Sequence, residues 1–140
     1  MKFEAGTQNL AGIFGFKKAV EYLESIGMDN IEEYENYLRK YAITKLSENK
    51  NLIIYNKDAS GPIITFNYKD VFAQDEATYL NRNGICVRSG QHCAKILMDL
   101  LKSEATVRAS FYFYNTKEDV DQLAEALKNG GNFLDAYFND

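Results

Sequence analysis

One thiol in this chain stands where it could attack another atom. Cys93 falls in Arg88-Ser89-Gly90-Gln91-His92-Cys93-Ala94, a polar stretch with a glycine, a ring that can carry charge and an arginine. A thiol attacks as its thiolate, and positive neighbours favour that form. The bland alternative is a small buried apolar residue, which free cysteine often is. The polar character of the loop argues against it, so Cys93 reads as a nucleophile. Cys86 lies in a β-like run, where the buried alternative is stronger, and it reads as a structural residue.

His92 is the one histidine. A Cys–His hydrolase would need a third member and a facing geometry that sequence neighbours seldom have, and no third member is evident. One His and two Cys also lack the ligand spacing of a metal site, so no metal is expected. A hydrogen-bonded or surface histidine stays open. Arg108 sits on the polar side of an alternating run. It would serve either as a bidentate anchor for the carboxylate of a small molecule or as a solvated or ion-paired surface cation. Arg88, at a strand end, is placed to position the loop. In Glu4-Ala5-Gly6-Thr7, ahead of the first helix, Thr7 suits either a phosphate or a simple helix cap.

The elements that must carry these residues alternate in type. Ile13, Phe16, Val20 and Leu23 recur at helical spacing, predicting a helix from Asn9 to Ile26 that Gly27 ends. Asp29-Asn30-Ile31-Glu32 resembles an acidic capping box opening a second helix striped by Ile31, Tyr34, Leu38, Tyr41, Ala42 and Leu46. Asn51 to Asn56 and Pro62 to Tyr68 read as a hairpin around Asp58-Ala59-Ser60-Gly61. Asp75 to Asn81 reads as a helix, Ile85 to Arg88 as a strand running into the Cys93 loop, and Ala94 to Leu101 as a short helix. Thr106 to Tyr114 is the strongest strand, apolar at odd positions and polar at even ones, with Arg108 between two hydroxyl residues. Thr116-Lys117-Glu118-Asp119 opens a helix carrying Val120, Leu123 and Leu127. Asn129-Gly130-Gly131 stops it before a last turn with Phe133, Leu134, Tyr137 and Phe138. The fold class is α+β: a small, mostly antiparallel sheet of about four strands covered by helices, in one domain over residues 1–140.

Composition narrows the function classes. The net charge of −4 and the lack of a Lys/Arg run argue against nucleic acid. No apolar stretch approaches the roughly 20 residues that span a bilayer, and the first residues hold no apolar signal core. Two cysteines are too few for a disulfide framework. Free thiols in a reducing cytoplasm are expected.

Taken together, Phe3-Glu4-Ala5-Gly6-Thr7-Gln8-Asn9, the Arg88-to-Ala94 loop, Val107-Arg108-Ala109-Ser110 and Tyr114-Asn115-Thr116 resemble the C-terminal portion of a group II (SufS-like) cysteine desulfurase. This is a class of fold-type I pyridoxal-phosphate enzymes within the class V aminotransferases. The resemblance runs over essentially the whole chain, and the loop is similar to the family's R-x-G-x-H-C-A. It implies that Cys93 accepts sulfur from L-cysteine and carries it as a persulfide, leaving L-alanine, for iron–sulfur cluster assembly. It implies that Arg108 binds the substrate carboxylate, that Thr7 contacts the cofactor phosphate at a partner subunit's site, and that Arg88 and His92 shape the loop. A homodimer and a sulfur-acceptor protein come with the family.

The chain departs from the family pattern in two ways. Lys95-Ile96 follows the loop where the family often has proline. The family's Schiff-base lysine, in a Ser-x-His-Lys setting, lies upstream of the Glu-Ala-Gly-Thr stretch, and no lysine here has that setting. The expectation is a piece of an enzyme that lacks the large cofactor-binding domain, binds no pyridoxal phosphate alone and turns over nothing alone. Selenocysteine lyase uses the same scaffold. A module that only receives and presents sulfur would keep Cys93 and drop the cofactor. A piece that packs on a larger domain should expose apolar surface, with Phe3, Phe14 and the aromatic C-terminus as candidates.

Overall fold

The computed structural model describes Phe3 and residues 6–138. The chain divides into two compact units, Met1–Glu33 and Tyr34–Asp140. The first holds helix α1 (Leu10–Ile26) and the opening of α2 (Met28–Ser47). Asn9 caps α1, its side chain accepting from the Gly12 amide at 3.0 Å. Gly27 breaks the helix at φ 94°, a value that a residue with a Cβ reaches only at a cost. α2 resumes at once with Met28, so the expected capping box at Asp29 does not form. Asn30 instead turns back to donate to the Ile26 carbonyl at 2.7 Å. The stripe Ile13, Phe16, Val20 is present, but α1 buries none of its residues. Phe3 and Phe14 are exposed, as is Phe138 at the other end of the chain.

In the second unit, α2 continues and is followed by β1 (Leu52–Ile54), β2 (Ile63–Tyr68), α3 (Ala73–Arg82), β3 (Arg88–Gly90), α4 (Lys95–Leu101), β4 (Thr106–Ser110), α5 (Lys117–Lys128), a 3-10 turn at Gly130–Asn132 and α6 (Asp135–Phe138). The four strands form one sheet in the order β1-β2-β4-β3, antiparallel at every pair. This is the α+β architecture that the residue pattern implies.

Alternation along the strands gives the sheet two unlike faces. Ile64 and Phe66 of β2 and Val107 and Ala109 of β4 join Leu38, Ala42 and Leu46 of α2, Leu80 of α3, and Val120, Leu123 and Leu127 of α5 in one buried cluster. Each fully buried Leu or Phe contributes roughly 1.5–3 kcal/mol. Thr116 starts α5 with a reciprocal capping box to Asp119, whose carboxyl is held below its usual range by the Thr116 amide and the Asn115 side chain. The opposite face carries Thr65, Thr106 and Arg108.

Three strands differ from expectation in their extent, and β1, at Leu52–Ile54, is shorter than the run from Asn51 to Asn56. β4 ends at Ser110, not Tyr114. Its partner β2 begins at Ile63, so the last rung is the Phe111 amide on the Pro62 carbonyl at 2.9 Å. Beyond it the chain folds into a turn closed by Asn115, which accepts from the Tyr112 amide at 2.9 Å. β3 begins at Arg88 and extends to Gly90, while Ile85 to Val87 lead into it without ladder pairing. α3 is also longer than expected at both ends.

Candidate active site

The sheet brings Arg88 and Arg108 together and sets Cys93 beside them. β3 and β4 pair antiparallel with Arg88 opposite Arg108 and Gly90 opposite Thr106. Directly opposed residues stand roughly 4.5–5.5 Å apart at Cβ. Gly90, at φ 121°, turns the chain off the strand, and the 91–94 turn closes with the Ala94 amide on the Gln91 carbonyl at 2.9 Å. Cys93 sits in that turn, exposed and unbridged. The Arg88 Nη2 donates toward its sulfur at 3.9 Å.

The turn is an unusual one. His92 and Cys93 both lie in the left-handed region, at φ 53° and 59°. For residues with side chains this costs on the order of 1–3 kcal/mol each, and it persists only where the surroundings hold it. The holding group is the His92 ring. Its Nε2 lies 3.0 Å from both the carbonyl oxygen and the hydroxyl of Thr106. Burial pushes the His92 pKa down and the Thr106 carbonyl pushes it up, while Arg108 and Arg88 lower it further.

Behind the loop, α4 and the polar sheet face line a half-open cavity of about 250 Å³. Tyr55, Asn56, Thr65 and Arg108 line it together with Leu97 and Met98 of α4. The Arg108 Nε is buried and lacks a hydrogen-bond partner, and no ion pair among the described residues engages Arg108. A half-buried guanidinium beside a small, mostly apolar cavity is a setting for a carboxylate-bearing small molecule.

The remaining candidates fall elsewhere. Thr7 belongs to the first unit and is exposed in a turn. It does not cap α1, since Asn9 does. Glu4 and Ala5, quoted with it, lie outside the described residues. Cys86 is exposed, which corrects its assignment as a buried structural residue. Ile85 and Val87 on either side of it pack against the core, so alternation turns Cys86 outward. No group of His, Cys, Asp and Glu able to hold a metal occurs among the described residues. None of their helices is long and apolar enough to cross a membrane.

Sequence reasoning missed Tyr55, Asn56 and Thr65 as cavity walls and Thr106 as the anchor of the loop. Thr106 was legible as an even, polar position of β4. That α4 would fold back over it, leaving it fully buried, was not.

The family model "Aminotransferase class-V" matches residues 1–123. A protein of Halalkalibacterium halodurans named as a probable cysteine desulfurase is 48% identical over 127 residues, covering 91% of this chain and 31% of that protein. The crystal structure of the cysteine desulfurase CsdA from Escherichia coli superposes with a TM-score of 0.86 at 34% identity, over 94% of this chain and 33% of that one. The apo cysteine desulfurase of Thermococcus onnurineus NA1 gives 0.85 at 35% identity, over 91% and 32%. The chain thus spans about a third of the length of the curated relatives it matches.

Proposed function

Because this chain belongs to the class-V aminotransferase family, we propose that it is the thiol-bearing part of a cysteine desulfurase. The observation that carries the reading is the exposed Cys93 sulfur 3.9 Å from Arg88, on a loop whose supporting strand also presents Arg108. Net, L-cysteine and the Cys93 thiol give L-alanine and a Cys93 persulfide. The substrate's carbon–sulfur bond breaks, a sulfur–sulfur bond forms, and a proton ends on the former Cβ. In this reaction Arg108 holds the substrate carboxylate. Cys93 supplies the attacking sulfur, with the Arg88 guanidinium beside it. The persulfide then passes to an acceptor protein for iron–sulfur cluster assembly.

Pyridoxal phosphate does not fit this chain as a holding site. Its covalent anchor is an amine, and no lysine lines the cavity beside Arg108. Thr7 is one hydroxyl, exposed in the other unit. The proposal therefore puts the cofactor's attachment on residues outside this chain, in a large domain of the intact homodimeric enzyme. Residues 1–140 supply the thiol and the carboxylate anchor. The same scaffold serves a selenocysteine lyase equally well, and substrate preference separates the two.

A hybrid enzyme tests this. The third of the Halalkalibacterium halodurans relative that matches is replaced by this chain, and alanine release from L-cysteine is followed with pyridoxal phosphate present. The hybrid turns over, and Cys93→Ser abolishes sulfur transfer while leaving cofactor absorbance unchanged. Arg108→Gln raises KM by about tenfold or more, as loss of a charged bidentate contact requires. The isolated chain gives no alanine under the same conditions. Turnover by the isolated chain, or by the Cys93→Ser hybrid at full rate, refutes the reading.

A further inference from the structure

We propose that Thr106 is a positioning residue for Cys93, acting through His92, and that this couple holds the His92 ring as the tautomer with its proton on Nε2. The inference rests on Cys93 being the reactive thiol of the reading above. The ring's tautomer and the shape of the loop can be measured without that reading.

The hydrogen bonds dictate the tautomer. His92 Nε2 lies 3.0 Å from the Thr106 carbonyl oxygen. A carbonyl has no proton to give, so Nε2 carries the proton and donates it. The Thr106 hydroxyl is also 3.0 Å from Nε2, and its own proton is spent on the Met98 sulfur at 3.9 Å. The hydroxyl thus turns a lone pair to the ring, and the same N–H is shared between two acceptors of one residue. Thr106 has no solvent exposure, so water cannot replace either acceptor. The other nitrogen, Nδ1, is buried without a partner. A second proton there would be a buried donor with nothing to accept it, which holds the ring neutral.

The consequence falls on the next residue. His92 and Cys93 share the left-handed turn between β3 and α4, a conformation that relaxes unless it is held. Thr106 holds it from both sides. It ties the ring on the loop and, through Met98, the helix that leaves the loop. The Cys93 sulfur stays near the Arg88 guanidinium as long as this clamp is closed. Strand β4 therefore carries two residues of the site in alternate positions on one face: Arg108 for the carboxylate and Thr106 for the loop.

Two features of the chain make the test clean. It has one histidine, so the imidazole nitrogens give isolated signals in a nitrogen-15 spectrum. It has two exposed thiols, so Cys86 serves as an internal reference for the alkylation of Cys93. In the unaltered chain at neutral pH, Nε2 is protonated and Nδ1 is not. The Nδ1–H tautomer, or rapid exchange between the two, overturns the proposal. In Thr106→Val, which keeps the shape and loses the hydroxyl, iodoacetamide reacts with Cys93 about threefold or more slowly relative to Cys86, the scale of one lost neutral hydrogen bond. Thr106→Ser restores the ratio. An unchanged ratio in the folded valine variant, or equal changes at both thiols, overturns the proposal. Should the valine variant fail to fold, the tautomer of the unaltered chain decides. A chain that passes while the hybrid enzyme makes no alanine removes the desulfurase reading and keeps the clamp. A chain that fails while the hybrid turns over does the reverse.

Discussion

Arg88 stands directly opposite Arg108 on the β3–β4 ladder. Two like charges at opposed positions destabilise a sheet, and no ion pair among the described residues neutralises either one. The pair therefore costs folded stability in return for positive potential beside Cys93. Arg88→Gln should make the chain more stable by about 0.2–1 kcal/mol at low ionic strength, measured by urea unfolding. The gain should vanish at high salt, where exposed charges are screened. A loss of stability at low salt would contradict this account of the pair.

A second cost sits in the core. Glu76 of α3 is fully buried, neither carboxylate oxygen has a partner, and burial pushes its pKa up to about 7. The 3-10 turn presses on it closely: a Cβ on Gly130 would lie 3.0 Å from Oε1 and 2.8 Å from the Tyr68 ring, so glycine is required there. The unfolded chain ionises near the ordinary value of 4.5 and the folded chain near 7. Below both values Glu76 costs nothing by ionising. As pH rises between them, only the unfolded state gives up its proton, and stability falls. Above the folded value the penalty is complete, about 3 kcal/mol. Glu76→Gln should therefore raise the melting temperature at pH above the folded value and leave it nearly unchanged in acid. A variant whose pH profile parallels the original would show that Glu76 is not the titrating group.

What the sequence made legible follows from what decides each element. Local periodicity was enough for the cores of α2 and α5, because Leu38, Ala42 and Leu46, and Val120, Leu123 and Leu127, recur at the helical period and do face the core. The loop with Cys93 was legible from its polarity and its glycine. Strand extent was not, because it depends on the partner: β4 stops at Ser110 where β2 runs out. Cys86 was misplaced because an apolar run does not say which of its residues face outward, here in the unpaired segment that leads into β3. Glu76 reads as an ordinary solvated acid on a helix, and only packing by the 3-10 turn shows otherwise. The couple between His92 and Thr106 joins positions 14 residues apart and needs the β3–α4–β4 path before it can be seen.

The wall of the Arg108 cavity depends on a buried cation in α2. Arg39 is 3% exposed and donates to the carbonyls of Gly61, Ile63 and Asn56, tying down the β1–β2 connection. Asn56 in turn donates to the Ile63 carbonyl at 2.8 Å and accepts from the Thr65 amide at 2.9 Å. Arg39→Met removes all three of these charged hydrogen bonds and should cost about 2–4 kcal/mol in urea unfolding. Amide hydrogen exchange should accelerate most at Tyr55 and Thr65. Destabilisation spread evenly over the chain would contradict this local role.

The most direct measurement concerns where the sulfur goes. The hybrid enzyme is given L-cysteine with no acceptor, quenched with an alkylating agent that preserves persulfides, digested, and weighed peptide by peptide. One added sulfur atom on the Cys93 peptide, and none on the Cys86 peptide, is the result predicted. Alanine formed with the extra sulfur on Cys86, or on neither thiol, would contradict the claim that Cys93 is the group that takes it.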